Sequence, residues 1–471
     1  MKTIFTLLMT LFPAAIFSQT AMSIQNLPDL SLARSAHVLL VPTPDKYVVI
    51  GGHINGFLLT NSVEIFSTSS NTWQTTTSSD NRDMPFVAQL SNGKYLIGGG
   101  CSSELGVGQL ATTEIYDPIN SSFTSAASMN VARTNVCATT LKDGRVLVVG
   151  NWYNSADYAE IYDPSANTFT LTGACLKARS IPVIIPTDDG GAIVCGGIGI
   201  YGDRITNDVF EKYDPITNSF SVLTSTLFDG ETTWDIGCYV PTLSQQYKMA
   251  NGKYAVIVYK TDYSELRLIS IDPATSEIKE ITTQTPIPLV DTDDPGIPFG
   301  SSRKSIIDVT NNLMHIIQTA TSTDYILRIV TINLTTGSVN SSKMSGFYFN
   351  VGSGNHYMLD NGQILFIGGM ISDNFALSAR AFIITPATYV ETNLNNHKTN
   401  NVTVRWDHST QAFLFSEEVT NASLYNVTGT ELIKTGKTNL LSAASIPAGV
   451  YFIRTNGIKS GGSQILKVIK P

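Results

Sequence analysis

The sequence predicts an all-β protein, in which a β-propeller of seven blades, with six as the alternative count, is followed by a small β-sandwich domain. The composition favours strands over helices. Charged residues make up only 14% of the 471 residues and hydrophobic residues 42%, and no long stretch spaces its apolar residues for a helical face. A strand–turn–strand unit recurs with a period near fifty, which is typical of propellers. The period ends near Val402, where a different pattern of short strands begins, including "AFLFS" at residues 412–416 and "ASLYNV" at residues 422–427.

The first residues have the pattern of a secretory signal peptide. In "MKTIFTLLMTLFPAAIFSQT" one lysine precedes an apolar run, and small and polar residues follow near Ser18. We expect residues 1–19 to be removed by cleavage around Ser18 to Thr20. The alternative, a membrane anchor, fits less well because the run is short and Pro13 interrupts it, and no other segment of the sequence could span a bilayer.

The repeating unit is clearest in "YAEIYDPSANTF", residues 158–169. Asp accepts backbone hydrogen bonds at the start of the turn, Pro sets the next φ, and Asn or Gly leaves the turn, so each unit is a hairpin. An aromatic residue six positions after the Asp is expected to fill the gap between neighbouring sheets. The Asp position recurs at intervals of 50, 46, 51, 58, 61 and 52 residues, at Ser67, Asp117, Asp163, Asp214, Asp272, Asn333 and Thr385. The aromatic residues are Trp73, Phe123, Phe169 and Phe220.

An apolar strand ending in a glycine pair precedes most of these hairpins. The strands "YVVIGG", "YLIGGG", "AIVCGG" and "ILFIGG" end at Gly52, Gly100, Gly197 and Gly369. Together with one more strand before it, each forms a four-stranded antiparallel blade with the hairpin. The fifth and sixth copies lack the glycine pair, and for this reason a count of six blades stays open.

The two ends of the repeat region suggest how the ring closes. Residues 23–34 align with residues 122–133, where an outer strand precedes the next blade. We therefore expect the N-terminus to supply the outer strand of the last blade and so to pair an open edge. The segment "TYVETN", residues 388–393, competes for that place.

The paired glycines, the Tyr before the turn and the aromatic residue after it resemble kelch repeats over roughly residues 23–392. The resemblance implies a kelch-type β-propeller over residues 20–393. Some kelch propellers are copper-radical oxidases, which need two His, a Tyr and a Tyr cross-linked to Cys. Another is a sialic-acid mutarotase, which would use an anion-binding Arg near carboxylates. No local motif selects such residues here, so no catalytic residue is predicted.

The tail differs from the propeller in both charge and motif. Residues 394–471 carry 8 basic and 4 acidic residues in a chain whose net charge is −8. A Tyr425-to-Gly429 turn, the strand from Gly449 to Tyr451 and a closing Lys467-x-x-Lys470 resemble the C-terminal sorting domain of the type IX (Por) secretion system of Bacteroidota. This implies export across both membranes, with residues 394–471 addressing the secretion machinery. An accessory β-sandwich, such as a carbohydrate binder, is the alternative.

Four arginines occupy equivalent positions in successive blades. Arg82, Arg133 and Arg179 each lie eleven residues before the glycine of the first inner turn, and Arg34 precedes Asp45 by the same interval. Residues at equivalent positions in successive blades lie on a ring around the propeller axis. This ring lies at the level where the chain enters each innermost strand. Four guanidiniums in an acidic domain would concentrate positive potential and suit carboxylate or sulfate groups. We predict this ring as the ligand-binding site, with hydrogen bonding to loop carbonyls between blades as the alternative role.

Neither a metal nor another cofactor is predicted. The histidines, at positions 37, 53, 315, 356, 397 and 408, have no ligand spacing, and the five cysteines contain no CxxC pair. The acidic segment "DTDDPG", residues 291–296, fits a solvated loop better than a calcium site. The acidic charge and the lack of basic stripes argue against nucleic-acid binding.

The sequence therefore predicts an exported kelch propeller, secreted or attached to the outer-membrane surface, that binds a glycan or a protein. The alternative is a carbohydrate-active enzyme, mutarotase-like or less favourably a copper-radical oxidase. A purely structural surface protein is the third possibility.

Overall fold

A computed structural model describes most of the chain. The described residues are 17–19, 21–55, 58–103, 108–151, 158–197, 210–223, 234–236, 247–260, 266–285, 287, 303–320, 326–346, 355–370, 376–387, 389–391, 404–407, 410–426, 430–447, 449–457 and 463–470. They divide into two compact units, Gln19–Thr388 and Tyr389–Pro471 with Met1–Ser18.

Unit Gln19–Thr388 is built from seven antiparallel four-stranded sheets, which confirms the prediction of seven blades. The first strand of each blade is the innermost, because the first strands of neighbouring blades pack against one another around the axis. The strands of blades 1 to 3 are Val38–Thr43, Lys46–Ile50, Ser62–Ser67 and Thr72–Thr77; Phe86–Gln89, Tyr95–Gly98, Thr113–Asp117 and Ser122–Ala126; and Cys137–Thr140, Val146–Val149, Tyr158–Asp163 and Thr168–Ala174.

Blades 4 to 6 follow the same order. Their strands are Val183–Pro186, Ala192–Cys195, Phe210–Asp214 and Ser219–Leu223; Trp234–Ile236, Tyr254–Lys260, Leu266–Ile271 and Ile278–Ile281; and Arg303–Asp308, Leu313–Ala320, Ile326–Asn333 and Val339–Met344. A short hairpin of His53–Ile54 and Leu58–Leu59 lies between the second and third strands of blade 1.

Blade 7 closes the ring with a strand from the other end of the unit. Its inner strands are Asn355–Met358, Ile364–Ile367 and Ala381–Thr385, and Ser23–Asn26 pairs antiparallel with the last of these. The N-terminal segment thus supplies the outer strand, as the sequence predicted. The competing segment pairs elsewhere, since Tyr389–Glu391 lies beside Phe17–Gln19.

The hairpin turns form for the reason that their sequence suggests. The Asp163 carboxylate accepts the backbone N–H of Ser165 at 2.8 Å, and the Asp117 carboxylate accepts that of Ile119 at 2.9 Å. The residue that leaves each of these turns has a left-handed backbone, with φ of 52° at both Asn167 and Ser121. The local chemistry of the turn therefore fixes the register of the two outer strands.

The aromatic residues after the turns pack as predicted. The ring of Phe169 lies 4.9 Å from that of Tyr162, and the same pairing recurs between Phe66 and Trp73 at 5.0 Å. Trp73 also donates its indole N–H to the carbonyl of Pro28 at 2.8 Å, which ties blade 1 to the linker before it. These ring pairs join the third and fourth strands of one blade. The core of the unit also contains contacts between neighbouring blades, and one cluster includes both Phe86 of blade 2 and Phe169 of blade 3.

The C-terminal unit has a core of its own and a single six-stranded sheet. The sequence indicated separate strands near residues 412–416 and 422–427, but they form one strand whose register shifts let it pair with four others. Two further short strands of this unit, Glu431–Thr435 and Thr438–Ser442, were not predicted from the sequence. The strands are Val404–Asp407, Ala412–Tyr425, Glu431–Thr435, Thr438–Ser442, Gly449–Gly457 and Ser463–Lys470.

Candidate functional site at the glycine-pair end of the propeller

The four predicted arginines lie at one level of the propeller. Each precedes an innermost strand, and its backbone carbonyl accepts a hydrogen bond from the residue that follows the second strand of the preceding blade. Gly52 donates to Arg82 at 2.8 Å, Gly100 to Arg133 at 2.8 Å, and Asn151 to Arg179 at 3.0 Å. Gly369 of blade 7 donates to Arg34 at 2.7 Å and closes this set. We call this end of the propeller the glycine-pair end.

The guanidinium groups face the protein interior. All four side chains are at most 2% exposed, and each pairs with a glutamate on the third strand of its own blade. The nitrogen–oxygen distances are 2.6 Å for Arg34 and Glu64, 3.3 Å for Arg82 and Glu114, and 3.2 Å for Arg133 and Glu160; Arg179 pairs with Glu211.

Each guanidinium also donates to the backbone of its blade. Arg34 donates to the carbonyl of Gly51 at 3.1 Å, and Arg133 donates to that of Gly150 at 3.3 Å and to that of Tyr158 at 2.7 Å. These bonds fix the loop between the second and third strands. Burial lowers the pKa of Arg34 and Arg133, and the partner glutamates partly offset that shift.

The sequence analysis missed the glutamates, which complete the unit. Glu160 accepts the backbone N–H groups of Asn130 at 2.7 Å and Val131 at 3.0 Å, so it also holds the linker that enters the blade. Glu64 and Glu211 accept the corresponding N–H groups of their own linkers. The sequence does contain a pattern that could have identified them, because each glutamate lies three residues before the turn position of its hairpin.

Arginine and glutamate occur together or not at all. In blades 5, 6 and 7 the glutamate position holds Ile269, Val330 and Phe382. In the same blades no arginine is in register; Pro241 and Val351 stand in its place before Gly252 and Gly362, and Arg303 of blade 6 is two residues displaced. The pair therefore acts as one structural unit.

The arrangement differs from the expected focus of positive charge. Each of the four guanidiniums is balanced by a buried carboxylate, and Arg82 contacts Asp80 as well, at 2.6 Å. The bonds to carbonyls and linkers match the structural role that the sequence analysis had kept as the alternative. Ligand binding by Arg34, Arg82, Arg133 and Arg179 stays a prediction, and their burial argues against it.

The backbone just after each arginine is strained. Ala36, Met84, Asn135 and Ile181 have φ values between 49° and 54°, a region that L-residues rarely adopt and that is least favourable for a β-branched side chain. The N–H of Met84 donates to Ala36 at 3.1 Å and that of Ile181 to Asn135 at 2.7 Å, and these contacts hold neighbouring blades together. Such strain clusters at ligand sites and switch regions.

Polar side chains from successive blades meet at the same end. His53 of blade 1 lies 3.1 Å from the carboxylate of Asp83 in blade 2, and their side chains are 10% and 12% exposed. Gln109 of blade 2 donates to the side-chain oxygen of Asn151 at 3.0 Å, and Asn151 donates to the carbonyl of Ala132 at 3.2 Å. None of these residues was predicted. Their positions in the repeat could have identified them. Asp83 directly follows an arginine, His53 and Asn151 come just after a second strand, and Gln109 lies on the loop that follows a second strand.

Three further histidines, His37, His315 and His356, are buried within or between sheets, and His397 and His408 lie outside the described residues. His37 and His356 lie on or beside innermost strands, as expected, and His356 stacks on Phe366 at 5.7 Å. His315 lies within 3.0 Å of the Thr331 hydroxyl, and burial lowers its pKa to about 4. The acidic segment 291–296 lies outside the described residues.

Within the described parts of the chain, no three His, Cys, Asp or Glu side chains come close enough to hold a metal ion. Those same parts contain no helix long and apolar enough to cross a membrane.

Comparisons with known proteins agree with the repeat pattern. A kelch repeat-containing protein of Caenorhabditis elegans, kel-10, is 28% identical over 248 residues, which is 50% of this chain and 40% of the relative. A kelch repeat and BTB domain-containing protein of the same organism is 26% identical over 245 residues, again 50% of this chain and 40% of the relative. The repeats of this chain are similar to the kelch repeats of these proteins.

The kelch propeller also resembles solved structures. A fungal alcohol oxidase of the AA5 family, in complex with copper, covers 96% of this chain with a TM-score of 0.52 and 13% identity, and 99% of that chain is matched. At this identity the likeness shows the fold alone. The matches to the curated relatives span about 40% of their length, and no protein-family model matches the sequence.

Proposed function

We propose that the protein is an exported kelch propeller that binds a glycan or a protein ligand at its glycine-pair end. The observation that carries the proposal is the meeting of polar side chains from successive blades: His53 with Asp83, whose side chains are 10% and 12% exposed, and the half-buried Gln109 with the buried Asn151. A carboxylate, an imidazole and two amides together can both donate and accept hydrogen bonds. This is the chemistry that recognises sugar hydroxyls or a peptide backbone.

The loops at this end support the same assignment. The connection from Gly98 to Thr113 leaves the blade here, whereas the turn from Gln89 to Tyr95 at the opposite end is short. Loops of differing length on a rigid scaffold are where binding residues concentrate. The strained backbone at Ala36, Met84, Asn135 and Ile181 lies beneath them and holds the side chains of neighbouring blades in register.

The second part of the proposal concerns delivery. Residues 1–19 would direct export and be removed, and residues 394–471 would address the type IX secretion machinery, which places the propeller in the medium or on the outer-membrane surface. The order of features supports this assignment: a signal-peptide pattern, the propeller, then a tail with the Tyr425-to-Gly429 turn and the closing lysines Lys467 and Lys470. Surface delivery that persists after deletion of residues 394–471 would refute it.

The binding proposal is tested with the mature chain, residues 20–471, on a glycan array and against extracellular proteins of the source cell surface. We expect at least one ligand whose binding falls about tenfold in Asp83→Asn, since hydrogen bonds to a charged group contribute about 1.5–3 kcal/mol. Asp143→Asn is the matched control, because Asp143 lies on an exposed inner turn at the other end of blade 3. Equal binding by both variants and the wild type would refute the proposed site.

A further inference from the structure

A cavity of about 420 Å³ lies at the end of the propeller opposite the arginine ring, between blades 7, 1 and 2. The arginines precede the innermost strands, and the inner turns follow those strands, so the cavity beside the turns is remote from the glycine-pair end. It includes Tyr47 and Tyr95, which stand at the start of the second strands of blades 1 and 2, and Tyr357 on the innermost strand of blade 7.

The three tyrosines offer their hydroxyl groups to the cavity. The rings of Tyr47 and Tyr95 belong to residues that are only 3% and 4% exposed, and Tyr47 stacks on Phe66 at 5.6 Å, so their faces are covered by protein. No hydrogen bond joins the hydroxyl of Tyr47, Tyr95 or Tyr357 to any residue that the structure describes. Burial and the neighbouring Tyr357 raise the pKa of Tyr95 to about 12, so that its phenol stays protonated and can both donate and accept.

The other polar groups of the cavity are planar amides and one carboxylate. The side chain of Gln363 is held by Thr385 at 2.7 Å and by Asn361 at 2.7 Å. Asp360 is the only charged residue among the described residues that line the cavity. With no lysine or arginine in the lining, an anionic ligand would find no compensating charge here.

A second groove at the same end shows what distinguishes this cavity. It has a volume of about 650 Å³ between blades 3, 4 and 5, and two of its lysines have protein partners. Lys253 lies 2.9 Å from Asp272, and Lys142 donates to the carbonyl of Asp188 at 2.6 Å. Lys253 and Lys142 are thus engaged by protein groups, whereas the phenols of the tyrosine cavity have no hydrogen-bond partner among the described residues.

These properties select one class of ligand. An apolar molecule would bury three phenol hydroxyls without partners, at a cost of about 1–3 kcal/mol for each. A quaternary ammonium needs open aromatic faces, and the faces of Tyr47 and Tyr95 are covered. A polyhydroxylated ring matches hydroxyls that donate and accept, and the volume lies near the lower end of the roughly 300–1,000 Å³ typical of ligand pockets.

We propose that the tyrosine cavity between blades 7, 1 and 2 binds a neutral saccharide of one or two rings. This site is separate from the glycine-pair end and does not depend on ligand binding there. One face of the propeller would then hold the main ligand and the other a short neutral sugar.

The test uses the mature chain and the double variant Tyr95→Phe with Tyr357→Phe, which removes two hydroxyls and keeps both rings. The probes are glucose, galactose, mannose, N-acetylglucosamine, maltose, cellobiose and lactose, measured by ligand-observed NMR and calorimetry. We expect at least one to bind, and its Kd to rise about tenfold in the double variant. The melting temperature should not fall, because neither hydroxyl forms a hydrogen bond with any residue that the structure describes.

Two controls make the outcomes distinct. Tyr254→Phe removes a phenol from the groove between blades 3, 4 and 5 and should leave sugar binding unchanged. Asp83→Asn changes the glycine-pair end and should also leave sugar binding unchanged. The two proposed sites are therefore tested separately, and one can be refuted without the other. The proposal is overturned if no neutral sugar binds at millimolar concentration or if the double variant binds as well as the wild type. Binding of tetramethylammonium in place of sugars, lost in Asp360→Asn, would also overturn it.

Discussion

Replacing Arg133 with methionine should destabilise the propeller strongly while leaving its shape intact. The substitution removes the 3.2 Å ion pair with Glu160 and the hydrogen bonds to the carbonyls of Gly150 and Tyr158, at 3.3 and 2.7 Å. It leaves a fully buried carboxylate whose remaining partners are the linker groups of Asn130 and Val131. Breaking a buried pair in this way costs about 3–5 kcal/mol.

The second arm of the experiment removes both charges. Glu160→Ile introduces the residue type that blade 5 carries at this position, Ile269. The double variant Arg133→Met with Glu160→Ile should be more stable than the sum of the two single effects predicts, by about 2–3 kcal/mol, because no buried charge is left unpaired. It still loses the bonds to the linker, so it should remain below the wild type.

Unfolding is followed by far-UV circular dichroism in urea and by heating, with all variants at the same protein concentration. For a domain of this size a loss of 3–5 kcal/mol should lower the Tm by roughly 5–10 °C. Arg145→Met is the control, since Arg145 pairs with Asp143 at 2.7 Å on a partly exposed turn of the same blade and should cost only about 0–1 kcal/mol. The account of the arginine ring fails if Arg133→Met behaves like Arg145→Met, or if the two single effects simply add.

Three further predictions concern other parts of the chain. Phe169→Ala should cost about 3–4 kcal/mol, because it empties the space beside Tyr162, and thermal unfolding of the propeller measures this; a loss below about 1 kcal/mol would contradict the packing argument. His315 has its pKa lowered to about 4 by burial, so the unfolded chain takes up a proton that the folded chain does not. Stability should therefore fall by about 3 kcal/mol as the pH decreases from about 6.5 to about 4, and His315→Gln should flatten this part of a pH series of urea midpoints. Lys470→Met should cost the C-terminal unit about 2–4 kcal/mol, because the ammonium donates to the carbonyls of Ala443 at 2.9 Å and Ile446 at 2.5 Å; unchanged protease resistance of that unit would contradict it.

The sequence predicted the features that depend on local chemistry. The turn at Asp163 needs only its own neighbours, and the strand Ser23–Asn26 was found because its segment repeats a pattern seen in blade 2. The C-terminal strand Ala412–Tyr425 was divided in two, since register shifts interrupt its regular pairing.

The parts of the site that depend on packing between distant segments were missed. Glu160 is visible in the sequence, but nothing in the residues around it says that its charge is enclosed with that of Arg133. The tyrosine cavity joins Tyr47 and Tyr95 to Tyr357, which lies in the last blade, and it exists only because the ring closes. The burial of the four arginines argues against the prediction that they bind a ligand, and burial is a property that their spacing in the sequence does not report.

The central claim is that the buried arginines hold the kelch propeller together while the polar side chains beside them bind the ligand. The most direct test is the Kd of the best ligand for Asp83→Asn and for the double variant Arg133→Met with Glu160→Ile, measured by calorimetry at a temperature where both are folded. We expect a Kd about tenfold higher for Asp83→Asn with an unchanged Tm, and an unchanged Kd with a lower Tm for the double variant. A Kd that rises in the double variant and not in Asp83→Asn would contradict the claim and return the binding site to the arginine ring.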